Sequence, residues 1–279
     1  MGQSLRTIAL VVLGAAPGSV FGQVAPTTPY LQIVREVVKI GHAGAAHAAT
    51  EVNWLAAYRR TGIANHYLAM ETAFGPTEAW FVSGHQSLAA IEELNVAIAN
   101  SPGLGKTLER NWAADAAHLV DARVLLLRHR PALTYGPGPA LPTTRMMEVT
   151  IFRVRPGGEG GFSEAATLYR TAVEQAKVPV HWATYEVMAG MPGPTYMVFS
   201  AKNSMADLDP GPVEKAISAE IGKRLAAASQ SLISIETLVF NFSPEMSYLP
   251  AAWIAQDPKF WGRSALPARA AAAPRPPNQ

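Results

Sequence analysis

The sequence predicts an α+β fold: two tandem β-α-β-β-α-β units packed sheet against sheet as a pseudo-dimeric barrel. Self-similarity is the first reason. Residues 66–85 (HYLAMETAFGPTEAWFVSGH) align with 181–200 (HWATYEVMAGMPGPTYMVFS), setting His66 on His181 and Glu71 on Glu186. Farther along, VLLLRHRPALTY at 124–135 aligns with TLVFNFSPEMSY at 237–248, setting Pro131 on Pro244 and Tyr135 on Tyr248. The second reason is that strand and helix patterns follow in the same order in both halves. The third is composition: 49% hydrophobic and 16% charged residues exclude a disordered chain and supply a large core.

In the first unit, the β-branched run Leu31–Ile40 reads as a strand that Gly41 breaks. His42–Thr61 has helical apolar spacing and ends at Gly62. Asn65–Phe74 and Glu78–Ser83 read as strands joined by a turn at Gly75-Pro76. Helical stretches follow over Gln86–Asn100 and Thr107–Leu119, and Ala122–Arg130 closes the unit as a strand. The second unit repeats this with strands Met147–Arg155, Val180–Met188, Thr195–Ala201 and Leu232–Phe242, and helices Phe162–Lys177 and Pro212–Ser229. The units span 30–135 and 145–255. A Pro/Gly linker at 136–144 without a core pattern separates them, and a Pro/Ala-rich tail at 264–279 is expected to be disordered.

Residues 1–22 read as a signal peptide. Arg6 opens it, Ile8–Leu13 is a short apolar run, and Val20 and Gly22 stand at −3 and −1 before Gln23. The expected location is therefore periplasmic or extracellular. No stretch is long enough to span a bilayer. The net charge of +2 falls to +1 without Arg6 and to −1 without Arg269 and Arg275, which leaves no electrostatic footprint for nucleic acid. With no cysteine, disulfides, thiolate metal sites and cysteine nucleophiles are excluded.

Each sheet has helices on one face and an apolar face left to bury. With the duplication and the element order, the chain resembles the dimeric α+β-barrel superfamily of ferredoxin-like units. That group includes antibiotic-biosynthesis-monooxygenase-like, NIPSNAP-like and EthD-like proteins and haem-binding chlorite-dismutase-like proteins. The resemblance covers residues 30–255 and implies a fold, with both halves fused in one chain. Either a monomer or a homodimer satisfies it. No catalytic motif of one member family is present.

SPGLGKT at 101–107 lacks the first glycine of a phosphate loop, since position 100 is Asn, and it lies between two helices. The histidines form no HxH or HExxH group, so no metal site is expected. No cofactor is required; a haem on one histidine, His66 or His181, is the one option kept. His47, Glu51, Trp54 and Tyr58 share one face of the first helix, where the second unit has Phe162, Ala166, Tyr169 and Val173. Two readings stay open. His47 and Glu51 form a surface pair over a Trp54/Tyr58 core, or they line a pocket with Trp54, Tyr58 and His66. The leading function is binding of a small, mostly apolar molecule, with Trp54, Tyr58, His66, His181 and Tyr185 as ligand-binding candidates. The alternatives are a cofactor-independent monooxygenase or isomerase, with His47 or His66 as base and Glu51 orienting it, and a structural assembly domain.

Overall fold

The alternation of apolar residues along the strands sets the architecture. In β1 (Tyr30–Val38), Leu31 and Ile33 face one core while Val34 and Val38 face another. A computed structural model describes residues 28–137, 140–209 and 217–264. After β1 come α1 (Ala45–Thr61), β2 (Leu68–Phe74), β3 (Glu78–His85), α2 (Leu88–Asn100), α3 (Leu104–Asp115) and β4 (Leu119–His129). The second half has β5 (Met146–Val154), α4 (Glu159–Gln175), β6 (Ala183–Ala189), β7 (Thr195–Lys202), α5 (Ala219–Ala228) and β8 (Leu232–Phe242). Two short helices follow, α6 (Ala251–Ile254) and α7 (Pro258–Trp261).

The eight strands close into one antiparallel barrel in the order β1-β3-β2-β8-β5-β7-β6-β4. Each half thus supplies four neighbouring strands in equivalent order, and the halves meet at the β2–β8 and β4–β6 seams. The registers match in detail. A shift after Val37 sets Val38 opposite Leu119, and a shift after Arg153 sets Val154 opposite Leu232. The turns that reach across the seams need glycine. Gly75 and Gly190 both have positive φ, and a Cβ on Gly190 would lie 2.3 Å from the Val124 carbonyl oxygen.

Among the described residues, three apolar clusters fill the fold. One occupies the barrel interior, around Trp80, Met197 and Phe240. The other two lie between sheet and helices, around Phe81 and Leu104 in the first half and around Phe162 and Tyr196 in the second. The sequence reading missed how the barrel is stoppered. Trp253 on α6 and Trp261 on α7 are buried in the interior cluster. The linker also contributes: Leu141 packs into the same cluster, and Trp261 Nε1 donates to the Pro142 carbonyl at 2.6 Å. This corrects the expectation of a linker without core residues.

Helix ends follow their side chains. Ser87 and Ser218 cap α2 and α5 by accepting from Ala90 N and Ile221 N, and Gly62 ends α1 in the left-handed region. The expected signal segment, the tail from 265, Pro139 in the linker and the predicted helix start at Pro212 lie outside the described residues. No helix among the described residues is long and apolar enough to cross a membrane.

Candidate functional site

The two helix–sheet interfaces occupy equivalent places and differ in chemistry. In the second half, α4 and α5 stand off the outer face of β5–β7 and leave a cavity of about 510 Å³. Small side chains make the room: Ala165 and Ala166 on α4 and Ala228 on α5. Phe152, Phe162, Tyr169, Trp182 and Leu232 form the apolar walls.

The polar groups of that cavity are few. His181, Lys202, Glu148, Thr184 and Ser200 line it, and Lys202 Nζ lies 3.7 Å from Glu148 Oε2. Burial, reinforced by the Lys202 ammonium, lowers the pKa of His181 below the ordinary histidine value, so its ring is neutral near pH 7. A hydrogen bond to the Ala201 backbone engages the ring, and His181 Nε2 is buried without a partner. That nitrogen has no surface open to the cavity, so a ligand meets His181 along the rest of its ring, beside Lys202 and Glu148.

In the first half the corresponding space is filled. His47 and Glu51 on α1 turn inward and meet Glu36 of β1 and Asp115 at the end of α3. All four are buried, at 0–3% exposure. His47 Nε2 lies 3.1 Å from Glu36 Oε2 and 3.4 Å from Asp115 Oδ1. Burial works against the imidazolium, but Asp115, Glu36 and Glu51 outweigh it and push His47 up to about 10. Burial, with the charges of Glu36 and Asp115, raises Glu51 well above the ordinary carboxylate value. Thr50 donates to Asp115 Oδ1 at 2.7 Å.

His47 and Glu51 therefore face neither solvent nor the cavity. Trp54 is half-buried and makes an edge contact with Trp112. Tyr58 and His66 both lie on Tyr248, with ring centroids 6.1 and 4.6 Å away. Tyr185 points into the barrel and donates to the Thr28 carbonyl oxygen at 3.0 Å. Of the seven residues singled out in the sequence, only His181 lines the cavity. Phe162, Ala166 and Tyr169 are the second unit's sequence counterparts of His47, Glu51 and Trp54. Their small or apolar nature was the available signal for an open space.

Arg128 and Arg130, at the end of β4, bridge Glu186 Oε2 across a seam at 2.8 and 2.7 Å. Glu186 is held below the ordinary carboxylate value: burial acts against this, and the hydrogen bonds from Arg128 and Arg130 prevail.

No family model matches the sequence, and a search of curated proteins finds no match. Solved structures share the fold. An anthrone oxidase-like protein aligns over 79% of this chain and 94% of its own, at 11% identity and TM-score 0.50. A proposed monooxygenase from Fusobacterium nucleatum aligns over 77% and 92%, at 8% identity and TM-score 0.49. A mutant chlorite dismutase from Candidatus Nitrospira defluvii aligns over 80% and 93%, at 10% identity and TM-score 0.44. At 11% identity the likeness to the anthrone oxidase-like protein is one of fold.

Proposed function

We propose that this chain binds a small, mostly apolar molecule in the second-half cavity, with the ligand's polar group beside Lys202, Glu148 and His181. A cavity walled by Phe152, Phe162, Tyr169 and Trp182, with a small polar set at His181, Lys202 and Glu148, carries this reading. A volume of about 510 Å³ suits one ligand of drug or metabolite size. Lys202 adds a cation, which favours an acidic or hydrogen-bond-accepting group on the ligand.

The enzymatic alternative needs a base that touches the ligand. His47 lies in the other half at zero exposure, and His66 is packed on Tyr248, so the group in position is His181. Among the described residues His181 is the histidine of the cavity wall, and holding a haem, a redox-active group, would need its ring to turn and bring a nitrogen to the surface. Adding haem to the protein tests that occupant: a Soret band that His181→Ala abolishes supports it, and no band removes it.

The general test is a titration with 1-anilinonaphthalene-8-sulfonate, an apolar anion. Saturable binding at one site is expected, and Ala166→Trp, which fills the cavity, is expected to weaken it at least about tenfold, since it replaces an apolar contact by a clash. Equal binding by the wild type and Ala166→Trp would remove the cavity as the site. The proposal includes export: expressed in a secreting host with residues 1–22 in place, the mature chain is expected to start at Gln23. N-terminal sequencing checks this, and a recovered chain that keeps its first residues would count against it.

A further inference from the structure

The buried cluster of the first half has the arrangement of a coordination shell. One donor atom from each of Glu36, His47, Glu51 and Asp115 lies within 4.8 Å of every other. From His47 Nε2 the carboxylate oxygens stand at 3.1 Å (Glu36), 3.4 Å (Asp115) and 3.8 Å (Glu51). Nitrogen and oxygen ligands about 2.0–2.2 Å from a tetrahedral ion are about 3.4 Å from one another, which is the middle of that range.

The protein's own hydrogen bonds do not satisfy this group. One imidazole nitrogen faces three carboxylates and carries one proton at most. Glu51 Oε1 and Asp115 Oδ2 are left with no hydrogen-bond partner, in side chains buried to 5% and 0% exposure. A proton on Glu51, shared with Asp115, eases part of this cost, and a divalent cation at the shared centre would take its place with one donor atom from each residue.

The second half shows that the fold does not need these groups. Glu36 and Phe152 each stand two residues before the end of equivalent strands, ahead of the same register shift. Asp115 and Ala228 each end a helix that a three-residue 3-10 turn joins to the last strand of the unit. Phe152, Phe162, Ala166 and Ala228 thus hold the places of Glu36, His47, Glu51 and Asp115, and the interface still forms.

We propose that Glu36, His47, Glu51 and Asp115 bind a divalent first-row transition metal of the zinc or manganese type. One imidazole and three carboxylates form a borderline-hard set that suits these ions. The ion would clasp β1, α1 and α3 together, and Thr50 would hold Asp115 in its coordinating orientation. The site is separate from the cavity and does not depend on how that cavity is used.

Chelator-treated full-length protein titrated with Zn²⁺, Mn²⁺ or Co²⁺ tests the proposal. One equivalent of at least one of these ions is expected to bind and to raise Tm. Glu51→Gln and Asp115→Asn, checked for folding by circular dichroism, are expected to weaken binding more than about 100-fold, the upper cost of losing even an outer-shell partner. Among the described residues a competing place is the half-buried pair His42–His118, whose Nδ1 atoms are 3.1 Å apart. His42→Ala is expected to leave binding unchanged. X-ray absorption of the zinc-loaded wild type gives a reading that needs no variant: one imidazole with oxygen ligands is expected. No bound ion, a shell with two imidazoles, or full binding by folded Glu51→Gln and Asp115→Asn would overturn the assignment.

Discussion

Charged side chains inside this protein come in sets, and each set answers to the solvation cost of its members. Arg35 on β1 holds Glu78 on β3 by two bonds, Nε to Oε2 at 2.8 Å and the terminal nitrogen to Oε1 at 2.6 Å. Glu78 Oε2 also accepts from Trp80 Nε1 at 2.7 Å. Replacing Glu78 with Ala leaves an arginine of 14% side-chain exposure and an indole N–H without their acceptor. The expected loss is about 3–5 kcal/mol of unfolding free energy, and Arg35→Met with Glu78→Leu should recover most of it. Urea denaturation of the single and double variants measures both. At this scale the sequence showed half of the buried cluster. His47 and Glu51 are one helical turn apart and were visible as a pair, whereas Glu36 and Asp115 join them only through strand and helix packing. Tyr185 could not be told from its neighbour Thr184, because alternation says which residues share a face and not which face holds the cavity.

Strands and long helices were legible because their periodicity survives in the folded chain. Every strand of both units was located, with ends moved by at most three residues, as at β1 and β6, and with β8 unmoved. The helices α6 and α7 were missed because four residues are too few to show a period. Their anchoring depends on pH. Arg145 donates to Asp257, just ahead of α7, and that hydrogen bond holds the Asp257 carboxyl below its usual value of 3.8. A depressed folded value stabilises fully above the unfolded value and loses its effect as pH falls through the folded one. Asp257→Asn is therefore expected to lower the urea midpoint at pH 7, and its difference from wild type should vanish in strong acid. Tryptophan fluorescence, reporting on buried Trp253 and Trp261, follows the transition. At the β6–β7 turn, Gly190→Ala combines positive φ with a backbone clash and should cost about 1–3 kcal/mol or more.

The whole molecule joins two four-stranded halves into one barrel, so the apolar faces of both sheets are covered within a single chain. That much could be read from the sequence, because each open sheet it predicts needs a partner for its bare face. The division of labour between the halves could not. A polar stripe on α1 suggested a pocket there, but buried carboxylates and an imidazole fill that space, and the room lies under the alanines of α4 and α5. Hydrogen–deuterium exchange with and without the bound apolar anion tests this asymmetry most directly. The account predicts added protection in α4, α5 and β5–β7, with α1 and α3 unchanged. Protection confined to α1 and α3, or spread equally over both halves, would contradict it.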